Sequence, residues 1–441
     1  RMVCCEKFLI LNMERREMRN EKPEIHALEE VRYPSMSRIT LKNQIPLDVI
    51  PFGPQEFVRL DVVFGMGTQI QPKFFVASFM HKLMREGTLH HSSKQIAEKI
   101  DFYGASLTSY ALKKHIVFSL VVLEKHLSPM VELMREIFVE PTFPESEFEL
   151  QVQKDKQDFI VNESKVTTMA NCGLRKAIYG ADGTFGKSPS SGDFDKVSIE
   201  DVKQFYNRYF AFNDCRIFLS GNSSDEVLAK IDETFGSISF REDYLSPEYS
   251  YNENPEKERI VRLRKEDSVQ SAVCIGGKLF PSGHEDYFKF SVLNTVFGGY
   301  FGSRLMSNIR EDKGYTYGIQ SALSAQGEEE LFVISTQTAN EYVEPLLAEV
   351  YKEMEVLKEE LVPEGELTQV RNYVSGSALR VFDGSFLVVD YYVSLALRGV
   401  DISDYYSKKI KVVNSVTAEE LREMARRYFN KERFYEVVAG A

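Results

Sequence analysis

The sequence predicts an α+β protein made of two homologous units, each with a mixed β-sheet and packed helices. Three observations support this fold class. Similar segments recur at a constant spacing of 219 residues along the 441-residue chain. Strand patterns, hairpin patterns and helix pairs follow one another in both halves. The chain also lacks a Gly-x-Gly-x-x-Gly fingerprint and a P-loop, which argues against a Rossmann unit.

The repeat consists of matching pairs in separate parts of the chain. One pair combines a Ser or Thr with an acidic residue three positions later and an amphipathic run, which is typical of a capped helix start. A single offset shared by several separated pairs is not expected by chance, so we infer an internal duplication. The pairs are 197–202 with 416–421, 208–210 with 427–429, Gly221 with Gly440, and 144–148 with 363–367.

The duplication divides the chain into four predicted parts. Residues 28–238 form the first unit and residues 259–441 the second. Residues 239–258 between them are polar and acidic with two prolines, a composition typical of a linker. Residues 1–27 are interpreted as an N-terminal tail.

Strands and hairpins are predicted where β-branched and apolar residues alternate. In the first unit these are a strand at 57–64 and a hairpin over 107–123 that turns at Lys113 and Lys114. In the second unit they are a strand at 272–275 and a hairpin made of 316–324 and 330–336.

Helices are predicted between these strands, and we expect them to pack against one face of each sheet. The clearest helix covers 92–103, because Ser92 and Gln95 form a capping-box pattern and Gly104 follows its end. The other predicted helices cover 74–85, 127–139, 145–170 and 286–297, with long helices following from Val343.

The charge balance narrows the classes of partner. The chain has 66 acidic and 54 basic residues, for a net charge of −12. An acidic chain without a basic tract does not suit nucleic acid, so no nucleic-acid partner is expected. On charge alone, basic peptides are weakly favoured over acidic ones as ligands.

Cysteine usage and hydropathy bear on the compartment. The five cysteines are scattered without a Cys-x-x-Cys pair, which favours a reducing environment over a disulfide framework or a zinc ribbon. No run of 18 apolar residues occurs, so no membrane span is predicted. The N-terminal stretch lacks the pattern of a signal or transit peptide, and a cytoplasmic location is expected.

Three stretches resemble the pitrilysin, insulinase and mitochondrial-processing-peptidase family. They are 76–88, an apolar helix ending in Gly-Thr; 104–115, which is similar to the family's peptide-holding edge strand; and 297–317, which is similar to its second-unit signature. The resemblance implies a fold of the LuxS and processing-peptidase type, in a C-shaped chain. It covers nearly the whole chain from about residue 30.

The family's inverted H-x-x-E-H zinc motif is degenerate in this chain. When the segment is aligned on Gly87 and Thr88, the resemblance places Ser78 and Lys82 at the two zinc histidines. It places His81 at the catalytic glutamate. The third zinc ligand, a glutamate in the family, falls on Asp158.

These residues are a poor set for zinc, which needs three protein ligands and an open position for water. Serine is a weak ligand. Keeping a lysine neutral near pH 7 means lowering its pKa from about 10.4, which costs about 5 kcal/mol. No metal is therefore expected in this chain, and zinc is expected only in a partner subunit. We predict instead that a Lys82–Asp158 ion pair fills the place of the metal.

Other family features are retained. Arg310 and Tyr317 match an Arg and a Tyr that, by the resemblance, face the active site and stabilise a developing oxyanion. Without the resemblance, Arg310 would be interpreted as a helix ion pair and Tyr317 as sheet packing. The edge strand, with Ser106, Leu107, Thr108 and Ser109, is expected to hold a peptide by β-augmentation, although active members typically carry Asn-Ala where this chain has Thr108-Ser109.

The resulting hypothesis is a chain that is inactive alone and serves as the non-catalytic subunit of a heterodimeric metallopeptidase. It would bind peptide substrates and supply Arg310 and Tyr317 to a homologous partner that has an intact H-x-x-E-H motif. Two alternatives remain open: a catalytically inert scaffold of the same fold, and a self-sufficient peptidase with an atypical metal site.

Overall fold

The structure, a computed structural model, describes residues 33–54, 56–384, 386–400 and 402–440. The predicted tail, residues 1–27, lies outside the described residues. The described chain contains two mixed β-sheets, one with six strands and one with five.

The first sheet has the strand order β1-β2-β6-β3-β5-β4. Strand β2 runs parallel to β6, and the other neighbours are antiparallel. Strand β4 therefore lies at one edge and pairs only with β5 within the described chain. The strands are β1 Ser37–Thr40, β2 Pro46–Ile50, β3 Phe57–Phe64, β4 Ser106–Ala111, β5 Ile116–Leu123 and β6 Cys215–Gly221.

The second sheet repeats this arrangement with the order β7-β11-β8-β10-β9. Strand β7 is parallel to β11, and the remaining pairs are antiparallel. The two orders correspond strand by strand from β2 and β7 onward, so the predicted mixed sheets and the duplication are confirmed. The strands are β7 Ile260–Arg264, β8 Gln270–Pro281, β9 Ile319–Gln326, β10 Glu329–Ala339 and β11 Tyr435–Gly440.

Thirteen α-helices occur in the described residues, together with two π-helices, Thr295–Gly299 and Met306–Asp312. The first-half helices are α1 Val76–Leu83, α2 Ser93–Phe102, α3 Leu127–Val139, α4 Glu145–Glu163, α5 Val166–Tyr179, α6 Ile199–Tyr209 and α7 Asp225–Phe235. The second-half helices are α8 Tyr287–Asn294, α9 Val343–Glu359, α10 Glu364–Leu379, α11 Leu387–Leu397, α12 Ile402–Ser415 and α13 Ala418–Tyr428.

The strand predicted at 272–275 is the longer β8, Gln270–Pro281, and the hairpin strand predicted from 316 begins at Ile319. Two predicted helices differ from the observed ones in kind. The single helix predicted at 145–170 is two helices, because the backbone is extended at Lys165 (ψ 134°), which interrupts the helical dihedrals before α5. The helix predicted at 286–297 ends as an α-helix at Asn294 and continues as a π-helix to Gly299. Neither segment contains a proline, the strongest sequence signal of a helix break, so neither change was visible in the sequence.

The two halves exchange one helix each, a feature that the sequence analysis did not predict. Helix α5 of the first half packs through Ala170 and Leu174 on the second sheet. Helix α11 of the second half packs through Val388 and Tyr392 on the first sheet. The expectation of helices on one face only was therefore wrong, because the central strands are apolar on both faces and the second face also needs a cover.

An ion-pair network fixes α11 against the first sheet. The guanidinium of Arg59 on β3 lies 3.0 Å from Asp61 and 2.5 Å from Asp390 of α11. Burial of Arg59 disfavours its charged form, and both carboxylates favour it; the balance raises its pKa. The two halves are thus joined by buried apolar packing and by charge.

None of the described helices combines the length and the apolar character needed to cross a bilayer.

Candidate functional site: the degenerate metal motif and the Arg–Tyr pair

Helix α1 carries the positions that the resemblance assigns to the metal motif. Ser78 and Lys82 are four residues apart and share a face of the helix. The Lys82 ammonium lies 2.6 Å from an Asp155 carboxylate oxygen on α4. Gln151, one turn before Asp155, donates to its other oxygen at 2.7 Å. A hydrogen-bonded ion pair therefore occupies the space between α1 and α4.

The prediction that Lys82 pairs with Asp158 is wrong. Asp158 lies almost one helical turn beyond Asp155, and its residue is exposed. The spacing between ligands in the family places the third ligand at Asp158, but in α4 it is Asp155 that faces α1. Because Asp155 is three residues from the expected position and lies on the same helix, a search for carboxylates one turn away would have identified it.

His81, at the position of the catalytic glutamate, points away from this ion pair toward the edge of the first sheet. Its Nδ1 lies 2.9 Å from the Ser109 hydroxyl on β4, and the residue is 4% exposed. Burial, with Lys82 and Arg85 nearby, lowers the pKa of His81 to about 3. The imidazole is therefore neutral at ordinary pH and serves as a link between α1 and β4.

The low pKa of His81 gives a prediction for stability. In the unfolded chain the imidazole takes up a proton below about pH 6.5, whereas the folded chain resists this until about pH 3. Stability should therefore fall as the pH is lowered through this window, by about 2 kcal/mol between pH 7 and pH 5 from this group. In urea unfolding, His81→Gln should lose stability relative to the wild type at pH 7 and recover most of that difference at pH 5. A difference that stays constant with pH would contradict this.

The residues of the motif do not fit a zinc ion. Lys82 places a cation where the metal would be held, and it already uses Asp155 as its counter-ion. His81 is engaged with Ser109, and Ser78 is a weak ligand. Within the described residues, no group of three or more His, Cys, Asp or Glu side chains is arranged to hold a metal ion.

Strand β4, the predicted peptide-binding strand, has one side that pairs with no other strand in the described part of the chain. The Leu112 amide donates to the His115 carbonyl at 2.7 Å at the hairpin turn, and antiparallel pairing alternates from there. The backbone groups of Leu107 and Ser109 therefore point away from β5, toward the open edge. The Leu107 carbonyl already has a partner, because the Arg85 guanidinium donates to it at 2.5 Å.

Arg310 and Tyr317 lie side by side at the surface of the second half. Arg310 is on the second π-helix, and its Nε donates to the Tyr317 carbonyl at 3.1 Å. Its guanidinium lies over the Phe301 ring at 4.7 Å and 3.5 Å from Glu311. The Tyr317 residue is 95% exposed, so the phenol is not part of the sheet packing.

The segment around this pair depends on glycine. The first π-helix contains Gly298 and Gly299 and leads to Phe301, and the second one carries Arg310. π-Helical turns are frequent at functional sites. A Cβ atom on Gly298 would lie 2.5 Å from the Ser321 hydroxyl of β9, so only glycine allows this approach. A cavity of about 740 Å³ opens beside the pair and is lined in part by Phe301, Gly318 and β9.

Fold and site together define a peptidase-type scaffold in which an ion pair between Lys82 of α1 and Asp155 of α4 stands at the degenerate metal motif. Comparison with known proteins agrees with this description. The family model described as "Insulinase (Peptidase family M16)" matches residues 53–182, and the one described as "Peptidase M16 inactive domain" matches residues 196–374. The chain belongs to the insulinase-type peptidase M16 family, with a degenerate zinc motif.

Curated relatives are named either as zinc proteases or as a non-peptidase homolog. The chain is 26% identical over 335 residues to the "uncharacterized zinc protease YmxG" of Bacillus subtilis, covering 73% of this chain and 78% of that protein. It is 22% identical over 272 residues to the "non-peptidase homolog YmxG" of Helicobacter pylori, covering 60% and 61%.

Solved structures show the same fold. A peptidase M16 inactive domain from Pseudomonas fluorescens has a TM-score of 0.79 at 20% identity, covering 92% of this chain and 98% of that one. A protease from Helicobacter pylori has a TM-score of 0.82 at 16% identity, covering 93% and 100%.

Proposed function

We propose that this chain is the non-catalytic subunit of a heterodimeric metallopeptidase. It binds part of the peptide substrate and presents Arg310 and Tyr317 to the active site of a homologous partner. The observation that carries the proposal is the 95% exposure of Tyr317 beside an arginine whose side chain is held in place. With so little packing, the phenol contributes little to the stability of its own chain and is available to contact another molecule, as tyrosines at interfaces do.

The chemistry of the pair suits this role. A guanidinium and a phenol both donate hydrogen bonds to the negative charge that develops on a carbonyl oxygen under attack. The contacts of Arg310 with the Tyr317 carbonyl and the Phe301 ring restrict its rotamers. Arg310 therefore loses less conformational entropy when it binds the substrate. The metal and its activated water would come from the partner.

The first-half site supports inactivity of the chain alone. The Lys82–Asp155 pair leaves this helix without a zinc ligand set. One relative is named a non-peptidase homolog, and one similar structure is described as an inactive domain. The open side of β4 offers backbone groups for an extended peptide, and this mode of binding needs no metal.

The proposal is tested by assaying the chain together with a homologue from the same organism that has an intact H-x-x-E-H motif. We expect the two chains to co-purify and to cleave peptides only together, with activity abolished by a chelator. Chelator-sensitive activity from this chain alone would contradict the proposal and favour the self-sufficient peptidase. Stable assembly with full activity in the partner alone would favour the scaffold.

A further inference from the structure

A large cavity lies between the two halves of the molecule, outside both sites described above except at Ser78. Its volume is about 1830 Å³, larger than the 300–1,000 Å³ that is typical of small-molecule pockets. First-half segments, the inter-unit segment at residues 250–252, the β9–β10 turn and α11 all contribute to its wall. Tyr110 and Leu112, at the end of edge strand β4, also line it, so a peptide added to β4 would extend into this cavity.

The cavity is basic although the chain is acidic. Its lining contains six lysines and arginines but only two carboxylates, whereas the whole chain has a net charge of −12. His115 adds no charge at neutral pH, because burial and neighbouring cations lower its pKa to about 4. The six cations are Lys73, Lys113, Lys114, Arg175, Lys187 and Arg398, and the two carboxylates are Asp390 and Glu328.

Four of these six cations have no carboxylate counter-ion among the described residues. Two of the six are paired, Lys73 with Asp201 and Arg398 with Glu330. The other four form no ion pair within 4.0 Å with any carboxylate in the part of the chain that the structure describes; they are Lys113, Lys114, Arg175 and Lys187. Unpaired charges in a concave site focus an attractive potential on anions.

The turn that carries two of these lysines is held firmly. The amides of Thr68 and Gln69 donate to the carbonyls of Leu112 and Lys113, each at 2.9 Å. The Tyr249 hydroxyl lies 2.9 Å from the Lys114 carbonyl. The backbone of the turn is thus fixed from two sides, and the positions from which its lysines extend are preorganised.

Aromatic rings take the place of carboxylates around these two lysines. The Lys114 ammonium lies 5.0 Å from the centre of the Tyr251 ring, and the Lys113 ammonium lies 5.9 Å from that of Phe185. Burial, and secondarily the charge of Arg175, lowers the pKa of Lys113. A ring contact, unlike a carboxylate, does not neutralise the ammonium charge, which therefore still attracts an anion.

From this charge and geometry we infer that the cavity between the two halves binds the acidic part of a peptide whose backbone is held by β4. The inference rests on one part of the proposed function, the binding of peptides, and names the class of peptide that binds. It reverses the weak expectation from net charge that basic peptides are preferred. A peptide fits better than a nucleic acid, because an extended edge strand leads into the cavity and the rest of the chain repels polyanions.

The test uses the full chain alone and fluorescence anisotropy. The probes are an extended labelled peptide of about ten residues with about four Asp or Glu, the same peptide with Lys at those positions, and a single-stranded oligonucleotide of similar charge. The variant is Lys113→Gln with Lys114→Gln. The matched control is Lys94→Gln with Lys125→Gln, which changes the net charge equally but lies outside the cavity.

We expect the acidic peptide to bind at least about tenfold more tightly than the basic one, and the cavity variant to lose about tenfold in affinity. The control should stay within about twofold, and Lys187→Gln should weaken binding by a smaller factor. Equal binding of both peptides, tighter binding of the oligonucleotide, or equal losses in variant and control would overturn the inference. Because no partner is present, this failure differs from failure of the proposed function, which is measured by turnover of the reconstituted pair.

Discussion

Replacing Arg310 with alanine is expected to lower the turnover of the reconstituted two-chain peptidase by about 100-fold or more. Tyr317→Phe, which removes only the hydroxyl, should have an effect of the same order. Both side chains would donate hydrogen bonds to the oxyanion that forms in the partner's active site. Loss of one such donor typically raises the activation barrier by about 2.7–4 kcal/mol.

The effect should appear in kcat more than in KM, since these hydrogen bonds strengthen as charge develops in the transition state. It should not arise from unfolding, because the Tyr317 residue is 95% exposed. Arg310 contacts mainly the Tyr317 backbone, Phe301 and Glu311, all at the surface of the same segment. Thermal unfolding of the variant chains should therefore match that of the wild type closely.

Two substitutions elsewhere on the second half provide matched controls. Arg426→Ala removes a surface arginine paired with Glu423, and Tyr391→Phe removes the hydroxyl of another exposed tyrosine. Both variants should retain nearly full turnover in the assembled enzyme. Unchanged turnover in Arg310→Ala and Tyr317→Phe as well would mean that the pair has no chemical role, and would support an inert scaffold.

Local signals in the sequence were sufficient for most individual elements. The strand predicted at 57–64 is β3 over the same residues, because alternation and β-branching directly reflect a pleated, buried strand. The capping box at Ser92 and Gln95 is present with both of its hydrogen bonds. Helices α6 and α13 start 219 residues apart, at Ile199 and Ala418, as the repeat predicts.

Features that depend on contacts between distant segments were not predictable in the same way. The sequence shows that α5 and α11 each have an apolar face to bury, but either sheet could cover that face. It therefore does not specify which sheet each helix packs on. The net charge of the chain is negative, whereas the lining of the central cavity is mostly positive. Net charge could not show this, because it adds the charges of the outer surface to those of the cavity. The partner of Lys82 was missed because a fixed family spacing does not specify which turn of α4 faces α1.

Restoring the two histidines of the family motif, Ser78→His with Lys82→His, is expected to create a zinc site. Positions 78 and 82 share one face of α1, and removal of Lys82 frees the Asp155 carboxylate that now lies 2.6 Å from its ammonium. Two imidazoles and one carboxylate complete the three protein ligands of an open zinc site. Zinc content, measured on chain dialysed against buffered zinc, should rise from near zero in the wild type to about one ion per chain.

The identity of the third ligand distinguishes this structure from the family alignment. Asp155→Asn in the double-histidine background should abolish zinc binding, whereas Asp158→Asn should leave it nearly unchanged, because Asp158 lies almost one turn further along α4 and is exposed. The opposite result would mean that the alignment and not the geometry of α4 locates the third ligand. If the wild-type chain contained zinc and Asp155→Asn removed it, the metal would have displaced the Lys82 ammonium from Asp155. The chain would then hold a hydrolytic metal of its own, and the division of labour between two subunits would have no basis.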